Sequence, residues 1–236
     1  MANPPKYHFD KFDPDTLPED IVYRLIADSV PEGSHVLDLG CATGYLSQYL
    51  RENKSCNILA VDIDPANVSI AVQRGLNAFE GDADAPVTWE RITDYAAKHG
   101  EFEVVIAGDV IEHLKQPDKT LKKIKGVLKK DGVLIASTPN IAYWKSRLNL
   151  LLGNFDYTEY GIMDRTHLRF FTEKTLREVA LNSGFSDVTI LRSFLFRGGT
   201  LYRKIRNFPP IRAILGCAGI NPDNLFTFQF VLKAKN

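Results

Sequence analysis

The chain has 236 residues, of which 44% are hydrophobic, and it carries 29 basic and 29 acidic side chains. This length and composition allow one α/β domain, residues 1–236, with a sizeable core, and they exclude a disordered chain. The formal net charge of zero gives no argument for a nucleic-acid partner.

Cysteine usage and hydropathy bear on the compartment. The three cysteines have no CxxC or zinc spacing, so we expect a reducing environment, with Cys41 and Cys56 as small apolar fillers. The first residues form no apolar signal region, and no apolar run is long enough to span a bilayer. We therefore expect a cytoplasmic protein.

The N-terminal segment, residues 1–30, is predicted to form a helical lid. Thr16 is followed three residues later by Glu19, with Pro18 between them, which predicts a capped helix start. The helix is then predicted to bury one stripe of apolar side chains, made of Ile21, Val22, Leu25 and Ile26.

A turn of small residues follows the first predicted strand, in the sequence HVLDLGCATGYLS at residues 35–47. The apolar run ends at Gly40, and a helical pattern begins after Gly44. A buried strand, a tight turn and a helix N-terminus in this order allow backbone N–H groups to approach a bound nucleoside. Ala42 stands where the dinucleotide fingerprint G-x-G-x-x-G needs its second glycine, which argues against a nicotinamide-dependent oxidoreductase. An ordinary sheet-to-helix turn is the alternative interpretation.

The next predicted strands each end close to an aspartate. The second strand, residues 57–62, ends in Asp62, which lies 24 residues after Asp38 (62 − 38), near the offset of one strand–helix–strand step. A carboxylate at that position can accept hydrogen bonds from two hydroxyl groups, although Asp62 or Asp64 could instead cap the next helix. The third strand, residues 77–80, precedes Asp82, whose alternative role is that of a turn residue.

The fourth predicted strand, residues 102–107, leads into DVIEHL at residues 109–114. Strands and helices alternate as far as residue 138, which predicts parallel βαβ units. Later strands are predicted at residues 132–137, 188–191 and 226–232.

Taken together, DLGCATG, the acidic strand ends and DVIEHL resemble the class I S-adenosylmethionine (SAM) methyltransferases. DVIEHL is similar to small-molecule members of that superfamily, including those of ubiquinone biosynthesis. The resemblance implies a Rossmann-like α/β fold with seven strands, the last one antiparallel, and helices on both faces. It implies SAM as cofactor and S-adenosylhomocysteine as product, with Asp62 on the ribose hydroxyls and Asp82 on the adenine amino group. The cofactor-binding residues implied are Asp38, Gly40, Cys41, Ala42, Gly44, Asp62, Ile63, Asp82, Ala83, Asp109 and Val110.

Two stretches fall outside the minimal fold and are predicted to be substrate-side insertions. Residues 139–171 mix aromatic and charged side chains at the carboxyl end of the fifth strand, where ligands bind in open α/β sheets. Their NFDYT and DRTHLRFFT runs resemble bacterial methyltransferases often found near cell-surface polysaccharide genes. Residues 194–224 are basic and apolar, and residues 197–215 suit weak contact with a membrane or a lipid-linked substrate, or a solvated helix face.

The acceptor hydroxyl has to lose a proton during methyl transfer, and histidine is the natural base near neutral pH. His167 and His113 are the two candidates, and a reaction without a histidine base remains open. Tyr7, Tyr23 and Tyr45 are candidates for cation–π contact with the sulfonium. No metal is expected, although Asp109, Glu112 and His113 have the i, i+3, i+4 spacing of one helical face.

The sequence therefore predicts a SAM-dependent methyltransferase acting on an oxygen, or less favourably a nitrogen, of a small-molecule acceptor. A sugar or glycan precursor is the first candidate acceptor, and a quinone-type phenol is the second. The alternative of another class is a non-catalytic SAM-binding regulatory module. We expect no nucleic-acid partner and either a monomer or a homodimer.

Overall fold

The computed structural model describes residues 12–194, 208–217 and 221–236, and seven of its strands form a single sheet in the order β3-β2-β1-β4-β5-β7-β6. β7 runs antiparallel to both of its neighbours, and the other pairings are parallel. The predicted seven-stranded sheet with an antiparallel last strand is thus confirmed. The strands are β1 (His35–Leu39), β2 (Asn57–Asp62), β3 (Asn77–Glu80), β4 (Phe102–Gly108), β5 (Leu128–Pro139), β6 (Ser186–Ser193) and β7 (Gln229–Lys235).

Helices cover both faces of the sheet, because successive side chains of each strand point to opposite sides. The helices described are α1 (Val22–Ser29), α2 (Tyr45–Lys54), α3 (Pro65–Gln73), α4 (Pro86–His99), α5 (Pro117–Val127), α6 (Trp144–Leu151), α7 (Glu173–Asn182), α8 (Pro209–Cys217) and α9 (Pro222–Phe226). Leu37 and Leu39 of β1 pack into the core under α4, α5 and α7, whereas Val36 packs into the core under α1, α2 and α3.

The strand order reverses between β1 and β4. From β1 the chain moves outward through β2 to β3, and it then returns to place β4 on the other side of β1. The connections on the two sides diverge there, which leaves a crevice at the carboxyl ends of the strands. The fold therefore places a ligand site beside the turn that follows β1.

The predicted start of the first helix at Thr16 is wrong. The Asp13 carboxylate accepts a hydrogen bond from the Asp15 amide (2.9 Å) and caps a short 3-10 turn, Pro14–Thr16. Thr16 Oγ1 donates to the Asp13 carbonyl (2.7 Å) and so caps no helix, and α1 begins at Val22.

The last strand begins later than predicted. Asn221 accepts a hydrogen bond from the Asp223 amide (2.9 Å) and caps α9, which occupies the chain as far as Phe226. β7 therefore starts at Gln229.

The two predicted insertions are described to different extents. Residues 139–171 contain α6 and two isolated bridges, one of which joins Asn140 to Phe171. Within residues 194–224, the predicted basic positions Arg197, Arg203, Lys204 and Arg206 lie outside the described residues. None of the described helices is long and apolar enough to cross a membrane.

Gly44 fixes the junction between the first turn and α2. Its φ of +74° lies in the left-handed region, and a Cβ there would come within 2.5 Å of Leu76 Cδ1 and 3.0 Å of Ala71 Cβ. Only glycine allows both this backbone conformation and the close packing of α2 on α3.

We predict that Gly44→Ala lowers the free energy of unfolding by about 3 kcal/mol, because it combines left-handed strain with overpacking. Gly33→Ala is the matched control, since Gly33 has a similar φ of +70° but open space around a Cβ. It should cost only about 1 kcal/mol. Urea unfolding of both variants measures the difference, and equal losses would contradict the packing argument.

Candidate active site: a cavity at the strand ends

A cavity of about 540 Å³ opens at the carboxyl ends of β1, β2, β3 and β4. Its volume lies within the range of small-molecule and cofactor sites. The expected cofactor residues in its lining are Gly40, Ala42, Asp62, Ile63, Asp82, Ala83, Asp109 and Val110, and the candidate base His113 lines it as well.

The turn after β1 brings backbone amides to one wall of this cavity. Gly40 has a φ of +78°, and a Cβ at that position would collide with the Val110 side chain. Ala42 also adopts a left-handed conformation (φ +47°), and its amide donates to Asp62 Oδ2 over 2.7 Å. Alanine thus takes a backbone conformation that usually favours glycine, so the turn keeps its shape without the second glycine.

Asp62 is held in place by three hydrogen-bond donors. Besides the Ala42 amide, the Asp64 amide (2.9 Å) and Asn67 Nδ2 (3.1 Å) both donate to Oδ1. Asp64 itself caps α3 by accepting from the Ala66 amide (2.8 Å). Capping is therefore done by Asp64, which leaves the Asp62 carboxylate in the cavity wall.

An apolar surface lies next to Asp62. Ile63 lines the cavity, and its side chain is 65% exposed, an unusual exposure for a large aliphatic residue. Asp82 also lines the cavity and accepts a hydrogen bond from the Asp84 amide (2.8 Å), so it stabilises its own turn as well. An exposed aliphatic side chain and two carboxylates in one lining suit a nucleoside.

Three expected cofactor residues lie behind the lining instead of in it. Asp38 is 3% exposed and accepts a hydrogen bond from Ser47 Oγ (2.6 Å), and burial raises its pKa to about 6. Cys41 is a buried residue of the turn itself, and Gly44 is the N-cap of α2. These residues shape the cavity from beneath.

Asp109 joins three strands at the edge of the cavity. It follows β4 with a φ of +54°, accepts a hydrogen bond from Ser137 Oγ on β5 (2.7 Å), and accepts from Gln229 Nε2 on β7 (3.0 Å to Oδ1). Burial raises the pKa of its carboxyl group. Its positive φ also breaks the chain direction, so the residues after Asp109 do not continue as one α-helix.

His113 and His167 meet although 54 positions separate them in the chain (167 − 113). Their ring centroids are 4.9 Å apart. The Nδ1 of His113 faces the Thr166 carbonyl (3.1 Å), and the Nδ1 of His167 faces the Ile162 carbonyl (3.0 Å). Because a carbonyl only accepts, each neutral ring carries its proton on Nδ1, and Nε2 keeps a lone pair. Burial lowers the pKa of His167, which favours this neutral form.

Glu112 is buried beside the two histidines. Within the described part of the chain, neither of its carboxyl oxygens has a hydrogen bond of ordinary geometry, and burial raises its pKa well above the usual range. Ligand atoms of Glu112, His113 and His167 lie within 4.8 Å of one another, a spacing suited to a cation. The single helical face considered for Asp109, Glu112 and His113 does not form, because residues 111–113 form a 3-10 turn and the Asp109 carboxylate accepts from Ser137.

Two tyrosines flank the same cavity. Tyr23 of α1 and Tyr45 of α2 both line it, with their ring centroids 5.6 Å apart. Burial raises the pKa of both phenols, so both stay protonated at neutral pH. Tyr7, the third sequence candidate, lies outside the described residues.

A second cavity, of about 610 Å³, lies within the insertion at residues 139–171 and is closed on one side by Phe228. Its aromatic walls are Tyr143, Trp144, Phe155, Tyr160 and Phe228, and its polar groups include Asn149, Asn154, Asp156 and Thr158. Ile162 also lines it, and the Ile162 carbonyl holds His167. His113 lines the first cavity, whereas His167, which contacts His113 and the Ile162 carbonyl, is in the lining of neither cavity.

Sequence reasoning missed several residues of the first cavity. Asn67 lies five positions after Asp62, and Asp84 lies two positions after Asp82. Their closeness to the ends of β2 and β3 was the signal that could have placed them in the cavity. Thr166 reaches the cavity from the insertion, and no local pattern indicates that contact.

A family model described as a methyltransferase domain matches residues 9–190 of this chain. The chain belongs to this methyltransferase family. It is 29% identical over 167 residues to a ubiquinone biosynthesis O-methyltransferase of Psychrobacter arcticus, covering 67% of this chain and 62% of the relative. It is 30% identical over 111 residues to the protein of the same name from Xanthomonas axonopodis pv. citri, covering 47% and 45%. The chain thus spans only part of the length of these relatives.

Solved structures show the same fold. A SAM-dependent methyltransferase from Archaeoglobus fulgidus superposes with a TM-score of 0.61 at 18% identity, covering 91% of this chain and 94% of the other. Haemonchus contortus phosphoethanolamine N-methyltransferase 2, solved with SAM, gives a TM-score of 0.55 at 13% identity and coverages of 88% and 49%. The expected superfamily, its fold and SAM as cofactor are confirmed.

We predict a pH-dependent effect of Asp38→Asn on stability. Because burial raises the folded-state pKa of Asp38 from 3.8 to about 6, the native state binds more protons than the unfolded state between these values. The free energy of unfolding therefore falls by about 3 kcal/mol as the pH rises from 4 to 6. Asp38→Asn should remove this decline, as measured by urea unfolding at several pH values. Parallel pH profiles for the two proteins would contradict it.

Proposed function

We propose that this chain transfers the methyl group of SAM to an oxygen of a small-molecule acceptor, with a sugar or glycan-precursor hydroxyl as the first candidate. The observation that carries the proposal is the His113–His167 pair, with Nε2 lone pairs: His113 lines the first cavity, and His167 contacts the carbonyl of Ile162, which lines the second. A SAM-binding regulatory module would not need such a pair.

The first cavity suits the cofactor. We assign Asp62 to the ribose hydroxyls, Ile63 and Asp82 to the adenine, and the turn at Gly40 and Ala42 to close backbone contact. Bound SAM supplies an electrophilic methyl group on a positively charged sulfur. Tyr23 and Tyr45 present aromatic rings in the same cavity and stabilise a nearby cation.

The histidine pair handles the acceptor proton. His167 Nε2 takes the proton from the hydroxyl while the new O–CH₃ bond forms and the methyl–sulfur bond breaks. His113, which lines the cofactor cavity, offers a second Nε2 lone pair for that proton. Alignment of the reacting atoms supplies a large part of the rate increase in such a displacement.

The second cavity indicates the acceptor class. Aromatic rings interleaved with amide, hydroxyl and carboxylate groups suit a sugar, whose ring stacks on aromatics while its hydroxyls form hydrogen bonds. A quinone-type phenol is the second candidate, and it is favoured by the names of the curated relatives.

We predict that His167→Ala lowers turnover about 100-fold or more while leaving the SAM dissociation constant nearly unchanged, because the ring acts on the acceptor proton. His113→Ala should lower turnover and raise the KM for the acceptor. His99→Ala is the control, since His99 is exposed on α4 and stacks on Tyr95. Turnover assays with a panel of sugar and phenol acceptors, together with SAM calorimetry, provide the measurements.

A loss of SAM affinity in His167→Ala would show that the role is wrong. Binding of SAM without turnover on any acceptor would favour the regulatory module.

The second candidate mechanism is a metal-assisted version of the same transfer. One observation supports it, the grouping of Glu112 with His113 and His167. A bound cation would lower the pKa of the acceptor hydroxyl directly. We predict that activity is undiminished in EDTA, because the histidine pair suffices as base. Loss of activity in EDTA that returns with a divalent metal would establish the metal-assisted reaction instead.

A further inference from the structure

The first cavity is acidic. In the part of the chain that the structure describes, its lining contains five carboxylates and no lysine or arginine. The carboxylates belong to Asp62, Asp64, Asp82, Asp84 and Asp109. A concave site lined by one sign of charge strengthens the binding of a ligand of the opposite charge. Because SAM carries one positive charge more than S-adenosylhomocysteine, on its sulfonium, this lining favours the cofactor over the product.

Asp109 differs from the other four carboxylates in its partners. Each of the four accepts a hydrogen bond from a main-chain amide and so helps to fix a turn or a helix start. The Asp109 carboxylate instead accepts from Ser137 Oγ (2.7 Å) and from Gln229 Nε2 (3.0 Å and 3.1 Å to its two oxygens). Hydrogen bonds donated to a carboxylate favour its ionised form. These neutral donors therefore orient the negative charge without cancelling it.

Two tyrosine rings line the same part of the cavity. Tyr23 and Tyr45 pack edge to face, at an interplanar angle of 87°. Burial raises the pKa of both phenols, and the negative charge of Asp109 raises both further, so this charge acts where the rings lie. A sulfonium has no proton to donate, so a protein recognises it by charge and by contact with aromatic faces. One carboxylate and two rings together suit such a cation.

We propose that Asp109 is the residue that distinguishes SAM from S-adenosylhomocysteine. Its carboxylate attracts the sulfonium, and Tyr23 and Tyr45 add their rings to the contact. Ser137 and Gln229 are positioning residues that hold this carboxylate. Methyl transfer removes the positive charge from the sulfur, so the attraction is lost when the product forms and S-adenosylhomocysteine leaves more readily. The proposal rests on SAM as the cofactor and does not depend on the acceptor class.

Calorimetric titration with three ligands tests the proposal. SAM and sinefungin, which carries an amine in place of the methylated sulfur, are both positively charged at this position, whereas S-adenosylhomocysteine is neutral there. In Asp109→Asn and Asp109→Gly, the dissociation constants of SAM and sinefungin should rise about tenfold or more, and that of S-adenosylhomocysteine should stay within about twofold. Asparagine keeps the size of the side chain, and glycine tolerates the φ of +54° at this position. Retained affinity for S-adenosylhomocysteine shows that each variant is folded.

Two control variants separate charge from structure. Ser137→Ala removes a hydrogen bond to the Asp109 carboxylate but keeps its charge, so the ratio of the S-adenosylhomocysteine and SAM dissociation constants should stay within about threefold of wild type. Asp28→Asn removes a charge from an exposed position of α1 and should leave this ratio unchanged.

Three results would overturn the proposal. Unchanged SAM affinity in both Asp109 variants would show that the carboxylate does not act on the sulfonium. An equal loss of affinity for all three ligands in both variants would show a structural role. An unchanged ratio together with a raised acceptor KM would assign Asp109 to the acceptor. Failure of the wild type to bind any of the three ligands would instead overturn the cofactor assignment itself, and this proposal with it.

Discussion

The hydrogen bond from the Ala42 amide to the Asp62 carboxylate is the contact on which the site depends. It spans 2.7 Å and ties the turn after β1 to the end of β2, next to the reversal of strand order between β1 and β4. The same carboxylate accepts from the Asp64 amide and from Asn67, so the turn and the start of α3 share one anchor. Gly40 and Ala42, both with positive φ angles, form the turn that lines the cavity beside this anchor.

A second set of contacts attaches the insertion to this wall. The Glu112 carbonyl accepts hydrogen bonds from the Leu168 amide (2.8 Å) and the Arg169 amide (2.9 Å), while Nδ1 of His113 faces the Thr166 carbonyl. These bonds hold His167 beside His113. The centre is thus assembled from two chain segments, one supplied by the sheet and one by the insertion.

Local sequence patterns predicted the sheet and the positions of Asp62 and Asp82 in the first cavity. Contacts between distant parts of the chain decided the remaining site residues. Apolar runs that end in a glycine or an aspartate mark strand ends, so β1, β2 and β3 and the positions of Asp62 and Asp82 could be predicted from the sequence. The meeting of His113 with His167 depends on folding of the insertion, and no spacing rule indicates it. The spacing of Asp109, Glu112 and His113 suggested one helical face, but the positive φ of Asp109 prevents an α-helix there. Leu148, Leu151 and Leu152 are exposed in the structure, although their spacing equally fits a buried helix face.

Calorimetric titration with SAM and S-adenosylhomocysteine, with NAD as the negative control, tests the central claim most directly. Wild-type protein should bind both sulfur nucleosides with micromolar affinity and should not bind NAD. Asp62→Asn should weaken both by about tenfold or more, because the ribose hydroxyls lose a charged acceptor. Asp28→Asn, which removes the same charge at an exposed position of α1, should bind like wild type. Failure of the wild type to bind either nucleoside, or unchanged affinity in Asp62→Asn, would contradict this account.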